Sequence, residues 1–240
     1  MRKGCLSKKV YKVRFIKDFQ TSKTFTDMRK KYSLVLIVFS FIHLLGFSQQ
    51  NYELNSGWKT LSIGDVESTG EEISNTSFSV ENWKSATVPG TVLTTQLNNG
   101  EIPDPFFGMN NEEIPDIYDV GRDYYTYWFV KDFKEKAKKD EQVWLNFRGI
   151  NYSVDIFLNG KKVNHEEYKG MFLRKRFNIT KFLAENGQNR LAVIVYPAPH
   201  GGNPNGGQGG DGTIARGVAH QYVAGWDWIQ PIRDRNTGIW

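Results

Sequence analysis

Ser153-Val154-Asp155-Ile156-Phe157-Leu158-Asn159-Gly160-Lys161-Lys162-Val163 is the stretch on which the fold class turns. Its first half is short, β-branched and apolar, as a half-buried strand is. Asn-Gly then favours the positive φ angles of a two-residue hairpin turn, so two antiparallel strands are predicted to meet at Asn159-Gly160. Outward from this hairpin, Leu191–Tyr196 (LAVIVY), Tyr125–Val130 (YTYWFV) and Gln142–Phe147 (QVWLNF) read as further strands. Short strands separated by turn residues predict an all-β chain, a β-sandwich with short helical excursions. One such excursion is Val92–Gly100, after Pro89-Gly90-Thr91, closed by its glycine. Residues 134–141, KEKAKKDE, read as a solvated hairpin tip. No repeat of constant period occurs, which excludes propellers and solenoids.

The chain has 240 residues, 39% hydrophobic and 24% charged, enough for one large domain or two small ones. This composition excludes collagen, low-complexity disorder and a disulfide scaffold. The formal charge of +5 is uneven. Residues 1–33 carry 11 Lys or Arg against Asp18 and Asp27, whereas residues 51–240 carry 20 basic and 24 acidic residues. A nucleic-acid partner is therefore excluded, because a phosphate-tracking surface needs clustered cations on the folded part.

The basic excess belongs to a leader. Met28-Arg29-Lys30-Lys31 precedes the apolar run Leu34–Phe47 and the polar Ser48-Gln49-Gln50, the outline of a signal peptide over residues 28–50. Fourteen residues at about 1.5 Å each fall short of a hydrocarbon core of about 30 Å, so membrane association is expected only through an uncleaved leader. Residues 1–27 read as a basic extension, with Met28 as the true start. The expected location is periplasmic or extracellular. With Cys5 left behind, the exported part has no thiol and no disulfide.

Residues 201–212, GGNPNGGQGGDG, form a glycine-rich loop without the GKS or GKT of a phosphate-binding loop. His200 and His220 border it, but two histidines without a third ligand do not make a zinc site. No metal and no cofactor are expected. Asn75-Thr76-Ser77, Asn151-Tyr152-Ser153 and Asn178-Ile179-Thr180 match the N-glycosylation pattern. His220–Trp240, HQYVAGWDWIQPIRDRNTGIW, is the densest in chemistry. Indole faces beside carboxylates and guanidinium groups suit sugars, whose C–H faces stack on rings while their hydroxyls hydrogen-bond. Equally, Trp228, Ile232 and Trp240 can pack a core while Arg233, Asp234 and Arg235 pair at the surface. Composition leaves both readings standing.

Five ordered blocks carry a resemblance: Trp83–Asn110, Tyr124–Phe133, Leu145–Val163, Lys169–Thr180 and Gly225–Trp240. They resemble the N-terminal sugar-binding domain of glycoside hydrolase family 2, in the branch containing exo-β-glucosaminidase, β-mannosidase and endo-β-mannosidase. The resemblance spans about residues 52–240. It implies a galactose-binding-like jelly roll over residues 51–240, C-terminally truncated, with the family's immunoglobulin-like and barrel domains absent. It further implies a retaining glycosidase, whose two catalytic carboxylates lie on the barrel about 5 to 5.5 Å apart.

No catalytic residue is therefore expected in this chain. Glu53, Glu101, Glu112, Glu113, Glu166 and Glu167 are expected at the surface. The resemblance places Trp226, Asp227 and Trp228 near the terminal sugar, with Asp227 on a hydroxyl and a Trp as an apolar wall. Arg233, Asp234 and Asn236 are expected to hold that loop, with substrate contact secondary. The expected partner is a carbohydrate of β-linked mannose or glucosamine units. A stand-alone carbohydrate-binding module and a structural interaction domain are the alternatives.

Overall fold

The computed structural model describes residues 50–115, 117–171, 173–198, 222–223, 232–233 and 237–240. The expected leader, up to residue 49, and the glycine-rich stretch 201–212 lie outside the described residues, as do His200 and His220. Residues 53–240 form one compact unit. Its strands are β1 (Trp58–Ser62), β2 (Lys84–Ala86), β3 (Gly90–Thr91), β4 (Tyr127–Lys134), β5 (Trp144–Phe147), β6 (Ile150–Asn151) and β7 (Ser153–Leu158). There follow β8 (Lys161–Lys162), β9 (Tyr168–Lys169), β10 (Lys175–Asn178), β11 (Gln188–Tyr196), β12 (Tyr222–Val223), β13 (Ile232–Arg233) and β14 (Gly238–Ile239). Among the described residues three short α-helices interrupt them: α1 (Gly70–Ile73), α2 (Val92–Asn98) and α3 (Ile117–Val120).

The hairpin forms as expected. Phe157 pairs with Lys162 and Leu158 with Lys161, and Asn159 and Gly160 take φ of 51° and 80°. Asn159 also ties the turn to the next layer. Its Nδ2 donates to Phe182 O (2.9 Å) and Asn189 Oδ1 (2.8 Å), and its Oδ1 accepts from Arg190 N (3.0 Å).

The main sheet is antiparallel and runs β2-β1-β4-β11-β7-β8, with β9 also on β7. Smaller sheets are β10-β5, β3-β14-β6 and β12-β13. Between the main sheet and the smaller ones lies a core of Phe129, Leu191, Val193, Val195, Val154, Ile156, Leu145, Phe147, Ile150 and Ile239 among others. Alternate residues of the same strands, Trp128, Val130, Ala192, Ile194 and Phe157, build a second cluster on the opposite face with Ile73 and Trp83. This is why Trp128–Val130 and Leu191–Val195 are apolar throughout: a strand buried on both faces has no solvent face on which to place polar residues.

α1 is opened by a capping box, with the Thr69 side chain accepting from Glu72 N and Glu72 accepting from Thr69 N. α2 begins at the Thr91 cap and ends before Gly100 at φ 72°, close to the expected Val92–Gly100.

Two expectations need correction. The strand expected at Tyr125–Val130 is β4, which begins at Tyr127 and runs on to Lys134. Residues 134–141 are exposed or half-buried but not a hairpin tip, since β4 pairs with β1 and β11 whereas β5 pairs with β10. The segment crosses from one sheet to the other. A polar, charged run marks solvent exposure, but pairing across it is decided by which apolar faces meet.

Candidate functional site

Residues 237–240, the described end of the chemically dense tail, are held at one end of the sandwich. Val195 of β11 pairs with Tyr127 at the start of β4, and Tyr196 pairs with Ser153 at the start of β7. β6 lies at this same end, directly before β7, and receives β14: Gly238 faces Asn151 and Ile239 faces Ile150. On its other edge β14 pairs with β3, Gly238 with Thr91 and Ile239 with Gly90. Gly238 is required there, because a Cβ would stand 2.7 Å from Thr91 Cα and closer still to Gly90 O.

The ladder continues into Trp240. Its N–H donates to Gly149 O (2.8 Å), and its carbonyl accepts from Arg148 N (2.9 Å) and Gly149 N (3.1 Å). The Trp240 side chain is 38% exposed and is not part of the core. That removes Trp240 from the packing alternative raised by composition. Thr237, Gly238 and Ile239 are buried, so the end of the tail is a structural anchor. Of the expected site residues, Trp226, Asp227, Trp228, Asp234 and Asn236 lie outside the described residues. Arg233 is described by its backbone alone, Ile232–Arg233 pairing with Tyr222–Val223.

A second segment shares this end. Arg122 Nη2 donates to Pro197 O (2.6 Å), just past β11, and Tyr125 Oη donates to Pro115 O (2.5 Å). These bonds fasten the long connection from α2 to β4 beside the strand ends that carry β14. Within it, Pro105 is buried whereas Phe106 and Phe107 are 68% and 74% exposed. The residue-level reading gave this PDPFFGMN segment no role; its available signal was two adjacent aromatics in a turn-rich loop.

The hydroxyls at this end stay protonated. Burial pushes Tyr127 up to about 12, with Gln96 Nε2 donating to its oxygen at 3.1 Å. Tyr196 also stands at about 12, first through burial and then through the Asp155 carboxylate. Gln96 Oε1 and Asn151 Oδ1 are buried without hydrogen-bond partners. Tyr127, Gln96 and Asn151 are buried, so these groups belong to the interior of the sandwich and not to a ligand-facing surface.

The other expected features divide. Glu53, Glu101, Glu112, Glu113, Glu166 and Glu167 are all exposed, as expected. Among the described residues no three His, Cys, Asp or Glu side chains gather as metal ligands would. The three glycosylation patterns differ in access: Asn75 is exposed and Asn178 half-buried, but Asn151 is buried in β6 and closed to a glycan. At the far end of β4 and β11, a groove of about 530 Å³ is lined by Lys59, Ser77, Phe78, Glu81, Asp132 and Arg190. Arg190 commits its donors there to Asp132 and to the carbonyls of Asn75 and Phe78, which makes the groove wall a brace.

Comparison with known proteins agrees with this architecture. The family model described as "Glycosyl hydrolase 2 galactose-binding domain-like" matches residues 67–240. The mannosylglycoprotein endo-beta-mannosidase of Lilium longiflorum is 52% identical over 194 residues, 78% of this chain and 20% of that enzyme. The exo-beta-D-glucosaminidase of Streptomyces avermitilis is 25% identical over 77% of this chain and 18% of its own length. Among solved structures, the beta-D-mannosidase of Dictyoglomus thermophilum superposes with a TM-score of 0.54 and 28% identity, over 77% of this chain and 21% of that one. The chain thus spans about a fifth of the length of the relatives it matches.

Proposed function

The chain belongs to glycosyl hydrolase family 2 through its galactose-binding-like domain, and on that premise we propose that it is the non-catalytic front part of an exported β-glycosidase. It contributes a wall of the pocket that receives a terminal β-linked sugar. The observation that carries this reading is the 52% identity to an endo-beta-mannosidase over 78% of the chain, which puts β-mannosides ahead of β-glucosaminides. Hydrolysis itself belongs to the retaining mechanism of the family, with both carboxylates on polypeptide outside this sandwich.

In this reading Asp227 accepts a hydrogen bond from a sugar hydroxyl, and Trp226 or Trp228 forms the apolar wall against the sugar's C–H face. Arg233, Asp234 and Asn236 hold the loop. Support comes from the anchoring of β14 between β3 and β6, which fixes the end of the tail within the rigid sandwich. Residues 28–50 act as the export signal.

The test is Asp227→Ala in the full-length enzyme that carries this domain. kcat/KM on a β-mannoside falls by about 1–3 kcal/mol of transition-state stabilisation, with folding intact. The 240-residue chain alone hydrolyses nothing. Unaltered kinetics for Asp227→Ala would remove the tail from the pocket, and millimolar mannobiose affinity in the chain alone would favour a stand-alone binding module.

A further inference from the structure

Phe106 and Phe107 stand out from the rest of the molecule. They are the most exposed large apolar side chains described, at 68% and 74%. The loop that carries them is built rather than loose. Asp104 Oδ1 accepts from Phe106 N (3.0 Å), and Asp104 O accepts from Phe107 N (3.1 Å) and from Asn110 Nδ2 (3.0 Å). Asn110 N donates to Phe107 O (3.2 Å). Pro105 on one side is buried, and Ile114 and Ile117 further on are in the interior. The backbone thus spends its hydrogen bonds on holding two phenyl rings in water, where each forfeits the gain of burial.

Along the chain the segment itself is of one sign, although Glu101 at its start is paired with Lys84 at 2.8 Å. From residue 101 to residue 121 the chain has Glu101, Asp104, Glu112, Glu113, Asp116 and Asp119 and no Lys, Arg or His. An aromatic centre within a charged margin is the make-up of a protein interface, whose core is rich in Phe and Met and whose rim is polar. A sugar platform has a different make-up: it needs a broad ring with polar handles beside it, and phenyl rings offer no hydrogen bond.

We infer that the Phe106–Phe107 loop is a docking knuckle for the rest of the glycosidase polypeptide, seating in an apolar recess rimmed by Lys and Arg. The inference rests on the reading of the chain as the front part of a longer enzyme. Two facts choose this occupant. The relatives are about five times longer than the segment they share with the chain, and the loop is fastened through Arg122 and Pro197 to the end of the sandwich that anchors the tail. Two phenyl rings bury only about 300 Å², less than the roughly 800 Å² a stable interface takes from each side, so they form the centre of a larger contact. Docking there sets how the sandwich faces the reaction centre.

The test uses the 240-residue chain and, as probe, the Lilium longiflorum endo-beta-mannosidase with its matched segment removed, each first shown to be folded by circular dichroism and a cooperative thermal transition. Titration calorimetry is expected to show association that weakens as salt rises. The double variant Phe106→Ser/Phe107→Ser weakens it about tenfold or more, while its thermal unfolding matches the unaltered chain because both rings are exposed. Equal affinity for the variant and the unaltered chain would overturn the proposal, as would no complex at about 100 μM. Each of these outcomes leaves the pocket role of the tail standing, since that role is read separately by Asp227→Ala kinetics.

Discussion

Arg190 grips Asp132 with both arms of its guanidinium, Nε at 2.6 Å from one carboxylate oxygen and Nη2 at 2.8 Å from the other. The Arg190 side chain is almost fully buried whereas that of Asp132 is largely exposed. The remaining Nη1 donates to Asn75 O and Phe78 O, so one side chain joins β4, β11 and the segment after α1. Lysine carries the charge but not the fork. Arg190→Lys is expected to cost about 1–3 kcal/mol in urea unfolding, because at least one charge-assisted bond is lost and the Asn75 and Phe78 carbonyls lose their donor. A loss near zero would show that the exposed half of the pair dominates.

Gly238 permits β14 to enter between β3 and β6, since any Cβ would meet the backbone of Gly90 and Thr91. Backbone cannot swing aside as a side chain can. Gly238→Ala is therefore expected to destabilise the chain by about 1–3 kcal/mol. Amide exchange at Thr91, Ile150 and Ile239 should accelerate first, ahead of the main sheet.

Asn159 combines a left-handed turn conformation with three side-chain hydrogen bonds. Alanine supplies neither. Asn159→Ala is expected to lower stability by about 2 kcal/mol or more. Asn159→Gly keeps the turn and should recover part of the loss, which separates backbone strain from the lost bonds when both are measured by denaturant titration.

Tyr127 and Tyr196 hold their protons to about pH 12, two units above the ordinary phenol. Their folded-state values are raised, so the stability they contribute is fully present below pH 10 and is lost as pH rises from 10 toward 12. Absorbance at alkaline pH should show late-ionising phenols in the folded chain. Tyr127→Phe should flatten the alkaline loss of stability, at the cost of leaving Gln96 Nε2 without its acceptor.

Local chemistry made much of the fold legible. The Asn159-Gly160 turn, the glycine-closed helix α2 and the apolar runs of β7 and β11 each depend on neighbours in the chain, and each appeared where expected, while β4 began two residues later than expected. The 134–141 connection did not follow expectation, because a charged run records contact with water and says nothing about which strand lies across the gap. The buried position of Asn151 was equally hidden, since a polar residue at a strand end is exposed or sealed according to whether another strand, here β14, arrives from 87 residues away.

Residue order alone thus specified strand-forming segments, their turns and membership in a glycosidase family, because periodicity, turn chemistry and motif order are written along the chain. Tertiary packing decided the rest. It split alternate side chains of the same strands between two cores, brought β3, β6 and β14 together at the end that holds the tail, and left Phe106 and Phe107 in water. None of these is a local property: each follows from which surfaces, distant in sequence, removed one another from solvent.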